Sequence, residues 1–236
     1  MFAARQQFNY QSGGGDPYWA NVKMLLTARS GTLLDATGYG TISTNLGTGA
    51  FVTNTVTNLN PYSFGQISHN LWQVSPSAER NGTGVFTFEW WYRSYASVAT
   101  SPFEAPWVPL TISGDITSGV GPIGQIGTTN SNRWSINGIG GGTYNMTASD
   151  VYTETWHHLA WTRNSSNLNT FYYDGVPYAT TVTNSATYPF ANAIQFGSAG
   201  VTPNSSSCYW DDFRYTVGIV RYTGAFTPPT TPFPIG

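Results

Sequence analysis

Charge is scarce in this sequence. Asp, Glu, Lys and Arg together make up 8% of its 236 residues, against about 25% in an ordinary soluble protein. The 9 basic and 11 acidic side chains leave a formal net charge of −2. There is no basic stripe to displace counterions from a nucleic acid or to grip an anionic membrane, so neither is expected as a partner. Cysteine occurs once, at Cys208, which rules out an internal disulfide. It opens an aromatic strand-like run without close basic neighbours, so a buried, inert thiol is expected. No apolar run approaches the ~20 residues needed to cross a bilayer as a helix. Residues 1–7 lack a basic end followed by an apolar core, so no secretory leader is expected. The sequons at Asn81, Asn145, Asn164 and Asn204 are accordingly expected to be unused. Starting at Met1, the chain is expected to be a whole protein rather than an excised domain. Strong helix formers are sparse, and Gly, Pro and β-branched residues interrupt nearly every window.

Aromatics are abundant, at 16% with nine Trp, which excludes a disordered chain. A chain of this size can bury roughly 70–75% of its unfolded surface and needs no staple. Period-2 alternation marks half-buried strands. In residues 85–93, Phe86, Phe88, Trp90 and Tyr92 fall on one face, with Thr87, Glu89, Trp91 and Arg93 on the other. Residues 156–163 and 209–217 alternate likewise. Asp174-Gly175, between two strand-like runs, is the preferred pair for a tight hairpin turn, because both central residues need positive φ. Pro177 just beyond it suits a sheet edge. The Gly-rich residues 137–142 lack the Lys-Ser/Thr ending of a phosphate loop and read as a wide strand connection.

These signals predict an all-β protein, an antiparallel β-sandwich with extended N- and C-terminal arms. Residues 1–15, ending in a Gly triplet, read as an N-terminal arm. Residues 16–223 form the sandwich, and the Pro-rich residues 224–236 form an extended C-terminal tail.

Three sets of segments resemble the laminin-G-like/concanavalin A-like jelly-roll domains of bacteriophage virion proteins and bacterial surface proteins. The first is Asp16-Pro17-Tyr18-Trp19 with the Leu25-Leu26 strand. The second joins Gly84 to Trp91, which looks like the family's G-x-F-T-x-E-x-W strand, to Trp156-His157-His158 through Arg163 and the Asp174-Gly175 turn. The third is Trp210 to Tyr215, then Arg221-Tyr222 and Phe226-Thr227-Pro228-Pro229, similar to the family's closing strand and tail. They occur in the family's order over about residues 16–233. The resemblance implies a jelly roll, a virion location after synthesis in a host cytoplasm, other virion subunits as partners, and a homo-oligomer. Some relatives hold calcium with acidic loop residues. Where the family carries an F-D-G turn, residues 64–70 have no Asp, so no cofactor is expected.

Catalysis is not expected. Glycoside hydrolysis needs two carboxyl groups across one sugar bond, and none of Glu79, Glu89, Glu104 and Glu154 has an Asp two residues later. His157 and His158 point to opposite faces of a strand, where one metal cannot collect both; one is expected packed and hydrogen-bonded, the other in water. No nucleophile elbow is present. Asp35 reads as a turn residue. Asp211 shares alternation with Phe213 and Tyr215, which places a carboxylate inward; Arg221 is its expected partner in a structural clamp. Trp107, Trp134 and Tyr144 sit near loops and are the candidate glycan contacts, since most other aromatics belong to the core. The expected function is a non-enzymatic virion structural protein (capsid decoration, spike or tail-associated subunit) docked through its arms. The alternative is a module that binds host surface carbohydrate.

Overall fold

The computed structural model describes residues 14–45, 50–66, 71–81, 84–94, 110–112, 123–124, 133–137, 142–145, 154–178, 181–183, 185, 193–196 and 208–236. Seventeen strands lie within them, with two short 3-10 turns and no α-helix. In chain order they are β1 (Val22–Thr27), β2 (Leu34–Asp35), β3 (Ile42–Asn45), β4 (Ala50–Thr53), β5 (Ser63–Gln66), β6 (Leu71–Val74), β7 (Phe86–Ser94) and β8 (Leu110–Ile112). There follow β9 (Ile123–Gly124), β10 (Arg133–Asn137), β11 (Gly142–Asn145), β12 (His157–Arg163), β13 (Leu168–Tyr173), β14 (Val176–Pro177), β15 (Val182–Thr183), β16 (Ile194–Phe196) and β17 (Cys208–Val217).

The strands form a ten-stranded sheet with the path β14-β13-β12-β7-β17-β1-β2, a four-stranded sheet β3-β6-β16-β8, and a three-stranded sheet β11-β10-β9. Each pairing is antiparallel. The fold is thus the expected antiparallel β-sandwich. The Asp174-Gly175 hairpin is present with φ of 48° and 78°, and Pro177 lies on the edge strand β14.

One face of the ten-stranded sheet meets the four-stranded sheet. Phe86, Phe88, Trp90, Tyr92, Leu159, Trp161, Phe213 and Tyr215 pack there against Trp72, Val74 and Ile194. The rings of Phe88 and Tyr215 stack at 4.2 Å and those of Trp90 and Phe213 at 5.1 Å. Each such pair adds about 0.5–1.5 kcal/mol beyond its burial. Cys208 is buried in this core, as expected.

The other face was expected to look toward water, but β7 and β17 are buried along nearly their whole length. The cover is the chain's own end. After Gly218 (φ 79°), residues 219–236 run back over the sheet as a strap. Tyr172 Oη donates to Tyr222 O at 3.0 Å and Phe226 N to Gly175 O at 2.9 Å. Phe233 is fully buried, and its N donates to Asp212 Oδ2 at 2.7 Å while its O accepts from Arg29. The Arg214 guanidinium lies 4.1 Å from the Phe233 ring centroid. Pro228, Pro229, Pro232 and Pro234 hold the strap extended and remove donors, so it lies across the sheet instead of lengthening the ladder. Gly175 must stay bare beneath it, since a Cβ there would come within 1.9 Å of Phe226 O.

Residues 224–236, expected as a tail gripped by neighbouring subunits, are extended but packed on their own sheet. The driving force is burial of Phe226 and Phe233 against its aromatic outer face. Most of the N-terminal arm, residues 1–13, lies outside the described residues. The arm's last residues lie beside the C-terminus, with a Cβ on Gly15 falling 3.3 Å from Gly236 Cα.

Candidate functional site

The sequence pattern places Glu89, His158 and Arg214 on the strap side of adjacent strands. Pairing sets Glu89 opposite both Ala160 and Arg214. Arg214 Nη2 lies 2.8 Å from Glu89 Oε1, and Arg214 Nη1 lies 2.7 Å from Asp16 Oδ2. Arg221 reaches the same Asp16 oxygen at 2.7 Å and comes within 3.5 Å of Glu89 Oε1. Tyr222 Oη donates to Glu89 Oε2 at 2.5 Å. Burial alone would push the Glu89 carboxyl up; Arg214, the His158 imidazole 3.6 Å away and Arg221 outweigh it and hold Glu89 far below the usual carboxylate range.

Two carboxylates therefore balance two guanidiniums in a closed chamber. Glu89 and Arg214 are fully buried, and Asp16 and Arg221 are at most 5% exposed. The expectation that Glu89 has no partner carboxylate on its own strand holds, but Asp16 arrives from the chain's start to share its two arginines. Such a buried pair cannot reach a glycosidic bond, and Glu89 is held ionised and not protonated for acid work. Its role is structural. The network was missed because its members are remote in sequence. The available signal was a lone Glu between Phe88 and Trp90.

The expected Asp211–Arg221 clamp does not form. Arg221 is committed to Asp16, Glu89 and Thr216. Asp211 accepts from Leu59 N at 2.9 Å and from Asn60 N and Nδ2 at 3.1 and 2.5 Å. A β-bulge causes the change. Between Asp211 and Phe213 the register slips so that Asp211 faces Trp91 and Phe213 faces Trp90, with Asp212 at φ 40°. The slip carries Asp211 off the face of Phe213 and Tyr215. Burial, and then the neighbouring Asp212 carboxylate, raise the Asp211 carboxyl to about 6.

The histidines divide differently from expectation. His158 is the fully buried one, ringed by Trp91, Tyr222, Phe226 and Phe233, while the part-exposed His157 holds the hydrogen bonds, to Asp174 at 2.7 Å and Thr155 at 2.8 Å. Asp35 ends strand β2 and opens the turn that follows: its Oδ1 accepts from Thr37 N and Oγ1, and also from Leu25 N. Among the described residues no group of three or more His, Cys, Asp or Glu side chains could hold a metal ion.

Of the glycan candidates, Trp107 lies outside the described residues. Trp134 and Tyr144 are brought together as direct cross-strand partners on β10 and β11. The rungs beside them pair Arg133 with Asn145 and Ser135 with Thr143. One face of this small sheet thus carries Trp134, Tyr144 and Ile136 with Gly124 and Gly142; the other carries Arg133, Ser135, Thr143, Asn137, Asn145 and Ile123. The sequence indicated each residue separately; the register adds their pairing.

No family model and no curated protein matches the chain. Solved structures do. A receptor binding domain aligns with TM-score 0.60 and 15% identity over 85% of this chain and 49% of its own. The botulinum neurotoxin type G receptor binding domain gives 0.58 and 15% over 83% and 47%. A structure described by the dependence of botulinum neurotoxin type C cell entry on two ganglioside molecules gives 0.57 and 16% over 84% and 48%. The chain spans about half the length of these proteins. At such identity the likeness shows a shared β-sandwich fold.

Proposed function

We propose that this chain is a non-enzymatic carbohydrate-binding module that recognises glycans through the β9–β11 sheet, with Trp134 and Tyr144 as the stacking surface. The observation that carries the reading is their direct cross-strand pairing on one face of the small sheet. Adjacent aromatic ring faces are what stacking a sugar requires. The ten-stranded sheet offers no comparable surface among the described residues, because core fills one face and strap the other. Similarity to receptor-binding domains, one described with gangliosides, supports the same reading. A glycan array probed with the full chain and with Trp134→Ala tests it. Saccharide binding that the substitution abolishes is expected. Absence of binding to any saccharide at millimolar concentration, or binding indifferent to the substitution, would overturn it.

A virion mounting for this module is the second reading, supported by the ordered segments resembling phage virion domains. With residues 224–236 engaged on their own sheet, residues 1–13 are the segment left to dock the chain beside its C-terminus. Deleting them is expected to abolish incorporation into particles while leaving the fold intact; normal incorporation would remove this reading.

A further inference from the structure

We infer that Thr155 is an activated hydroxyl that accepts an acyl group from an activated carboxylic ester or thioester, with His157 as its general base and Asp174 as the positioning residue. The inference is independent of the carbohydrate-binding reading, because its residues belong to the start of β12, the segment before it and the β13–β14 turn. It concerns one modification of the chain itself and requires no turnover.

The three side chains form a continuous relay. Asp174 Oδ2 lies 2.7 Å from His157 Nδ1, and His157 Nε2 lies 2.8 Å from Thr155 Oγ1. Each member is held in place. Asp174 N donates to His158 O and His158 N to Asp174 Oδ1, both at 2.8 Å. The His157 ring stacks on Tyr173, with centroids 4.7 Å apart. Arg93 Nε donates to Glu154 O at 2.7 Å and Trp156 Nε1 to Thr57 O at 2.9 Å, so both neighbours of Thr155 are anchored. Thr155 itself is exposed and open to a reagent.

The direction of the proton follows from the carboxylate. Burial would raise the Asp174 carboxyl, but hydrogen bonds from the His157 ring and the His158 N–H outweigh it and hold it below its ordinary value. Ionised, Asp174 only accepts, so Nδ1 carries the proton and Nε2 of the neutral ring offers a lone pair. The Thr155 O–H then donates to Nε2. A hydroxyl bonded to a base that a third group orients is the arrangement that activates a nucleophile. Thr53 and Thr87 show the contrast: their hydroxyls bond to a hydroxyl and a carbonyl oxygen, which are poor bases. As Thr155 Oγ1 adds to an acyl carbonyl carbon, its proton passes to Nε2. When the tetrahedral intermediate collapses, the bond to the donor's alcohol or thiol breaks and that group leaves with the proton from Nε2. The products are a Thr155 ester and a free alcohol or thiol.

The test treats the full chain with p-nitrophenyl acetate and locates the acetyl groups over time by peptide mass mapping. Thr155 is expected to be acetylated about a hundredfold faster than other Ser and Thr hydroxyls, the lower end of what a positioned base supplies. Thr155→Val should remove the label, Thr155→Ser should keep it, and His157→Gln should lower it to the level of other hydroxyls. Asp174→Asn suits the positive φ of the turn, while its amide donates to Nδ1 and moves the ring proton to Nε2. Labelling should then be lost, with nitrogen NMR of His157 showing the proton on Nδ1 in wild type and on Nε2 in the variant; a merely structural Asp174 would leave the tautomer unchanged. Melting temperatures separate lost reactivity from lost fold. A preference for Thr155 below about tenfold, acetyl resting on His157 instead, or unchanged labelling of a folded His157→Gln chain overturns the inference.

Discussion

The ten-stranded sheet and the β9–β11 sheet use similar residues toward different ends. In the large sheet, aromatics and charges are sealed: Phe88, Trp90 and Tyr215 by the opposing sheet, Glu89 and Arg214 by the strap. In the small sheet, an aromatic rung lies beside a cationic one with no carboxylate on its strands. A buried arginine between two carboxylates secures a fold, while the paired rings of Trp134 and Tyr144 are what we propose stack a sugar. Position, more than residue type, separates the two roles.

Breaking the sealed side should give the largest effect. Glu89→Gln leaves Arg214 and Arg221 with Asp16 alone, and removing one partner from a buried ion network costs about 3–5 kcal/mol. Chemical denaturation should show that loss. Phe233→Ala empties a fully buried site under the strap and is expected to cost about 3 kcal/mol, seen as a lower melting temperature and faster proteolysis after residue 218. Gly175→Ala forces a Cβ into Phe226 O at positive φ; about 2 kcal/mol is expected from the clash and the loosened strap contact.

Asp211 gives a pH-dependent comparison. Its folded carboxyl is raised from 3.8 to about 6, so the fold favours the protonated form. The corresponding stability is fully present below the unfolded value near 4 and is lost as pH rises through about 6. Asp211→Asn should flatten that part of the stability–pH curve and raise stability at pH 8 by about 3 kcal/mol, at about 1.4 kcal/mol per pKa unit. Asn60 can turn its unpartnered Oδ1 toward the new amide, which keeps the site hydrogen-bonded. Equilibrium unfolding between pH 4 and pH 8 checks this, and an unchanged slope would show that Asp211 does not govern it. The smallest stability effect is expected on the β9–β11 sheet. Trp134→Ala and Tyr144→Ala remove one cross-strand pair, worth under about 1 kcal/mol, while removing carbohydrate binding.

The inner face of the fold was legible because alternation is local: Phe86, Phe88, Trp90 and Tyr92 share a face in the sequence and in the core. The hairpin at Asp174-Gly175 was legible because its φ requirement is a property of two residues. The bulge at Asp211–Asp212 was not, since a non-glycine residue at positive φ leaves no compositional mark, and the slip moved Asp211 away from its expected partner. Strands β2, β3, β5 and β15 carry no such alternation, since two to four residues are too few to show a period. The strap was read as extended, which it is, but its destination depends on contacts remote in sequence, such as Phe233 with Asp212 and Phe226 with Gly175. For the candidate site, the residue types at Trp134 and Tyr144 were visible, and their pairing needed the register.

The division between a sealed sheet and a receptive one is tested most directly by a saccharide titration of wild type, Phe233→Ala and Tyr144→Ala, below the lowest melting temperature of the three. Phe233→Ala is expected to melt earlier yet bind as wild type does, and Tyr144→Ala to melt as wild type does yet lose binding. A Tyr144→Ala chain that binds normally, beside a folded Phe233→Ala chain that does not, would contradict the account.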